Sequence, residues 1–180
     1  MFDRHYAVWP EQVPHFLDLP KTSLYSNLTV SALRYPEHPA IIYYGSQLSY
    51  RDLDIQATAL AGYLQQAGVK AGDRVLLYMQ NSPQFVIGFY AILRANAVVV
   101  PVNPMNRKAE LEYLIDDTEA AVALSGLELL DNIAPLVGYG SLKEVICSAY
   151  AEYLTEKTSL DLPEAVHLPA HIPERPGVTA

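Results

Sequence analysis

His167 and His171 have the most metal-like spacing in the chain, because on a helix two imidazoles four residues apart would face one side and could grip zinc. Pro169 stands between them in HLPAH and breaks the helix that would align them, and no third ligand lies nearby, so the preferred reading is a solvated segment. His5, His15 and His38 have no partner in sequence. Cys147, in EVICS, could act as a nucleophile only as a thiolate; no His, Lys or Arg adjoins it, and it reads as a small buried hydrophobe. Ser125-Gly126 and Ser141 lack the G-x-S-x-G context of a nucleophile elbow. None of the nine glycines falls in the spacing of a dinucleotide or P-loop phosphate cradle. Gly138 and Gly140 come closest, but they precede a strand where such a motif should follow one. The most ligand-like loop is Asn81-Ser82-Pro83, a strand-to-helix turn of the kind that meets ligands at the carboxyl edge of a parallel sheet. Its plainer reading is a helix cap with Asn81 bonded to neighbouring backbone, and that is preferred. Thirteen tyrosines beside four phenylalanines read as core and rim packing ahead of an aromatic ligand platform. No residue is therefore assigned a catalytic, cofactor-binding or metal role.

The elements around these residues follow from periodicity. Residues 1–27 form an arm in which Pro10, Pro14 and Pro20 impose extended backbone. A short helix carrying Leu28, Ala32 and Tyr35 stops at Pro36. AIIYYGSQLSY predicts a hairpin turning at Gly45-Ser46. Ser49, with Asp52 three residues on, caps a helix bearing Leu53, Ala57, Leu60 and Leu64 and closed by Gly68. Then come strand 73–80, a helix capped by Ser82 with Pro83 at its first position, strand 97–102, helix 108–117, strand 120–125, helix 127–136 and strand 144–148. Helix 108–117 places Lys108 at its start and Asp116 and Asp117 at its end, against the helix dipole, so packing must hold it. Residues 28–153 thus alternate strand and helix, which predicts an α/β fold: an open, mainly parallel sheet with helices on both faces. The proline-rich stretch 154–180 reads as a linker or tail.

Composition bounds the function. A formal charge of −8 with no basic stripe argues against nucleic acid as a partner. With one cysteine there is no intrachain disulfide, and a cytoplasmic location is expected. The longest apolar block, residues 85–93, is too short to span a bilayer and is closed by Arg94, which leaves peripheral membrane contact open.

Three stretches, taken together, resemble the opening third of the AMP-forming acyl-CoA synthetases, a superfamily that also includes peptide-synthetase adenylation domains: LSYRDL (48–53), GVKAGDRVLLYMQNSPQFVIGFYAILRANAVVVPVNP (68–104) and LEYLIDDTEAAVAL (111–124). PEHPAIIYYG and MQNSPQF lean toward the fatty-acid CoA ligase branch. The resemblance implies a partial N-terminal domain whose partners are the remainder of the same polypeptide and a fatty acid, with ATP, Mg and coenzyme A as cofactors of the intact enzyme and a homo-oligomeric state. The family's phosphate loop, ribose-binding aspartate, hinge and C-terminal lysine have no counterpart here, so this chain alone is expected to bind no cofactor and to be inactive. LRANAVVVPVN resembles the second core motif, whose expected role is scaffold: Val98 to Val100 fill a strand buried on both faces and Pro101 and Pro104 stiffen its exit. Two other readings stand beside this one, a non-catalytic interaction or oligomerisation module and part of an adenylation domain feeding a carrier protein.

Overall fold

Runs of branched apolar residues alternate with capped amphipathic stretches, and in the computed structural model, which describes residues 4–180, they become strands and helices in turn. β1 (Pro39–Tyr43) and β2 (Ser46–Ser49) pair antiparallel. β3 (Arg74–Tyr78), β4 (Val98–Pro101), β5 (Val122–Gly126), β6 (Glu144–Ser148) and β7 (Val178–Thr179) form one sheet in the order β4-β3-β5-β6-β7 with every neighbour parallel. The helices are α1 (Tyr25–Arg34), α2 (Tyr50–Gln66), α3 (Pro83–Arg94), α4 (Lys108–Thr118), α5 (Leu130–Ile133) and α6 (Glu164–His167). This is the expected α/β class.

Strand pleating sorts the helices onto two faces. Val75, Leu77 and Met79 join Ala61 and Leu64 of α2 and Ala91 and Ile92 of α3 in one core. Leu76 and Tyr78 point the other way, into a core with Leu111 and Ile115 of α4 and Leu130 and Ile133 of α5. A third cluster seats α1 and the hairpin against α2 and α3 through Tyr25, Leu28, Leu48, Leu53, Ala57 and Ile87. The packing also settles the adverse charges of α4. Leu111 and Ile115 are fully buried, each contributing about 1.5–3 kcal/mol, against a few tenths of a kcal/mol for each misplaced charge. Lys108 further pairs with Glu112 at 3.6 Å, and Asp116 accepts a hydrogen bond from Tyr139 at 2.8 Å.

Several local expectations change. β4 is an edge strand with Val98 46% exposed, not a strand buried on both faces. Pro101 is tolerated for that reason, since an edge strand can forgo one donor. The hairpin turns at Tyr44 and Gly45, both at positive φ (48° and 93°), one residue earlier than expected; Tyr43 pairs with Ser46. That is the two-residue geometry whose twist matches paired strands. The single helix expected over 127–136 is broken into a 3₁₀ turn (Leu127–Leu129), the one α-helical turn of α5 and a second 3₁₀ turn (Ala134–Leu136). Pro135 supplies the reason: it has no N–H to donate and its ring crowds the carbonyl four residues back. α1 begins at Tyr25, inside the expected arm, and the first three residues of that arm lie outside the described ones. Within 154–180, Val166 of α6 is buried, and β7 continues the sheet beside β6, clasped where Thr179 donates to Glu144 at 2.7 Å.

Candidate functional site

Because β3, β5 and β6 run parallel and in register, their carboxyl ends meet at one edge: Tyr78 lies beside Ser125, Ser125 beside Cys147, and Gly126 beside Ser148. The turns leaving that edge bring together side chains far apart in sequence. Tyr150, 2% exposed, accepts a hydrogen bond from the Gln80 backbone N–H at 2.7 Å and donates to Glu128 Oε1 at 2.7 Å. Gly126 makes room for this bridge, since a Cβ there would stand 2.2 Å from the Tyr150 hydroxyl and 2.5 Å from Glu128 Oε2. Gln84, in the first turn of α3, donates to the Ala149 carbonyl at 2.7 Å. Ser82 accepts from the Phe85 N–H at 3.1 Å and caps α3 as expected, and Pro83 opens the helix, but Asn81 is exposed and does not make the expected side-chain bond to neighbouring backbone. On the opposite face, Tyr78 donates to the Asn106 carbonyl at 2.7 Å and accepts from Asn132 at 3.2 Å, pinning the chain that leaves Pro104.

Among the described residues, three buried side-chain polar atoms have no partner: Glu128 Oε2, Gln84 Oε1 and Ser148 Oγ. Burial raises the Glu128 carboxyl above its ordinary range, with the Tyr150 hydrogen bond and its own backbone opposing. The Tyr150 hydroxyl is raised by burial and then by its bond to Glu128. Burial, followed by the Glu128 and Glu152 charges, pushes the Cys147 thiol up to about 12. At neutral pH it is therefore an inert thiol, 1% exposed, as its sequence setting suggested.

The other sequence candidates fall elsewhere. His167 closes the single turn of α6 and His171 lies in coil beyond Pro169, and no group of three potential metal-ligating side chains occurs among the described residues. His5 and His15 pack with Tyr6 and Trp9 in the arm, with the Tyr6 and His15 rings stacked 4.1 Å apart, and His38 stacks on Tyr35, so all three have aromatic partners that sequence did not reveal. Ser125 is fully buried and donates to the Gly126 carbonyl; Ser141 donates to the Ala120 carbonyl. Gly138 and Gly140 shape the turn before β6. Glu128 and Tyr150 belong to no motif and were missed; the one available signal was a glycine ending a buried strand just before a glutamate set among leucines, in GLELL.

The arrangement leaves buried oxygens without partners beside a carboxyl whose charge burial disfavours. Residues 28–176 match the family described as AMP-binding enzyme. The chain belongs to that family. It is 35% identical over 148 residues to a long-chain-fatty-acid–CoA ligase of Bacillus subtilis (strain 168), covering 82% of this chain and 26% of that protein. It is also 35% identical over 131 residues to a nonribosomal peptide synthetase of Penicillium thymicola, covering 73% of this chain and 4% of that one. Among solved structures, a long-chain-fatty-acid-CoA ligase from Archaeoglobus fulgidus superposes with a TM-score of 0.66 at 28% identity, over 73% of this chain and 28% of that chain. The family member described here thus spans about a quarter of the length of the fatty-acid ligases it matches. The family and the N-terminal α/β fold expected from the resemblance are both met.

Proposed function

We propose that this chain supplies N-terminal framework to a fatty-acid–CoA ligase, an enzyme that activates a fatty carboxylate with Mg-ATP as an acyl-adenylate and passes the acyl group to coenzyme A, and that the chain itself holds none of the reacting groups. The observation that carries this reading is the family match over residues 28–176, falling on a sheet at whose carboxyl edge Tyr150, Glu128, Gln84 and the Gln80 backbone are tied into structural hydrogen bonds. These residues do not fit a nucleotide. There is no glycine-rich cradle, and burial raises both carboxyls at the carboxyl edge, Glu128 and Glu152, so this edge disfavours the negative charge a triphosphate would bring. No step through ATP, magnesium or coenzyme A is assigned to them. Partners in this reading are the rest of the ligase, a fatty acid and a second copy of the enzyme, in the cytoplasm; among the described residues no helix is long and apolar enough to cross a membrane.

Titrating the purified chain with Mg-ATP in a calorimeter, and assaying thioester formation from palmitate and coenzyme A, should give no signal. A clear response in either would refute the absence of reacting groups. The scaffold role is tested by replacing the matching segment of the Bacillus subtilis ligase with residues 28–176 of this chain. The folded chimera should still form palmitoyl-CoA, and a folded but inert one would count against the framework reading. An adenylation domain feeding a carrier protein is the second reading, supported by the equal identity to the peptide synthetase. Fatty-acid ligation is preferred because that match extends over 82% of the chain against 73%.

A further inference from the structure

Beneath the carboxyl edge, between α2, α3 and the sheet, lies an open-sided cleft of about 250 Å³ walled by Leu60, Met79, Ile87, Leu124 and Ile146, with Tyr153 and the last residue, Ala180, completing its rim. Its walls are mostly apolar, yet two of the unpartnered polar atoms belong to residues that line it. Gln84 is 7% exposed; its Nε2 is committed to the Ala149 carbonyl, which fixes the amide and leaves Oε1 as a bare acceptor. Ser148 Oγ is the second. Leaving a buried acceptor unmet is costly, and the cost is recovered when a donor arrives. A carboxamide oxygen can only accept, whereas a hydroxyl can do either. The Glu152 carboxyl also lines the space, and its own burial already disfavours charge there, so a second carboxylate would be poorly accommodated.

We propose that this cavity is a binding site for a small, uncharged, largely apolar molecule that presents an O–H or N–H donor to Gln84 Oε1 and receives a hydrogen bond from Ser148. The site is distinct from any carboxylate-binding function, because its polar end selects a donor and disfavours a carboxylate. Its size suits a ligand of under about a dozen heavy atoms, by comparison with the roughly 150 Å³ that accommodates benzene.

The test uses the full chain labelled with [¹³C-methyl]methionine and titrated with 1-hexanol at neutral pH. Met79 lines the cavity and is 4% exposed, while Met105 is 80% exposed and reports non-specific effects. Hexanol should shift the Met79 methyl signal saturably and leave Met105 in place, and hexanoate should bind at least tenfold more weakly. Ser148→Ala removes an unpartnered hydroxyl, so the fold should persist while hexanol affinity falls about two- to tenfold. Ile146→Phe, which fills the space, should abolish the shift. The proposal is overturned if Met79 does not respond, as when ordered water alone satisfies the two acceptors, if hexanoate binds as well as hexanol, or if folded Ser148→Ala binds hexanol unchanged.

Discussion

Glu128 shows how a single residue acquires its chemistry from its surroundings. Burial raises its carboxyl above the ordinary 4.5, and the hydrogen bond from Tyr150 offsets only part of that. A carboxyl raised in the folded state binds its proton more tightly folded than unfolded. Its contribution is therefore fully present below the unfolded value and is lost as pH rises through the folded one. Glu128→Gln keeps an oxygen to accept from Tyr150 and cannot ionise. Its stability relative to the parent should rise with pH across the window just above 4.5, read from urea midpoints at closely spaced pH values. Glu152 is also raised, chiefly by burial, but it is present in both proteins and cancels in the difference. Parallel curves for parent and variant would show that the carboxylate is as well solvated folded as unfolded. In the sequence only GLELL hinted at Glu128, and nothing pointed to its partner, because Glu128 and Tyr150 are 22 positions apart and meet only where β5 and β6 end together.

At the scale of elements, legibility followed how local the cause is. Caps were readable because donor and acceptor lie within one turn: Ser49 accepts from the Asp52 N–H at 3.1 Å and Ser82 from the Phe85 N–H at 3.1 Å. Ser82→Ala should therefore cost about 1 kcal/mol, since Ser82 is 7% exposed and water cannot readily replace its oxygen. Chemical denaturation measures this, and a change within error would mean that the Phe85 N–H finds another partner. The break at Pro135 was equally local and could have been read from the proline alone. The place of β4 in the sheet was not: three consecutive valines look the same whether a strand has one neighbour or two, and only the pairing with β3 alone makes it an edge. β7 is a two-residue strand with no periodicity, formed because Val178 and Thr179 meet Val145 and Ile146.

The molecule as a whole carries its apolar excess outward at particular places. Phe16, Leu17, Leu19 and Leu33 are exposed, and β4 presents an unpaired edge with Val98 open to solvent. Exposed apolar side chains and free strand edges are the usual routes to association. The purified chain should therefore self-associate as its concentration increases, seen as a growing mean mass in light scattering. A strictly monomeric mass at high concentration would show that the arm and edge are adequately shielded.

By itself the sequence determined the α/β class, the helix caps, the family resemblance and the inertness of Cys147, all of which depend on short-range patterns of side-chain size, polarity and glycine or proline geometry. Only the tertiary structure decided which strand became the edge, that Gly126 clears space for the Tyr150–Glu128 bridge, and that Gln84 and Ser148 line one apolar cavity. Those outcomes require groups distant along the chain to arrive within hydrogen-bond distance or to share a wall, and strand order, which no local pattern encodes, sets who meets whom.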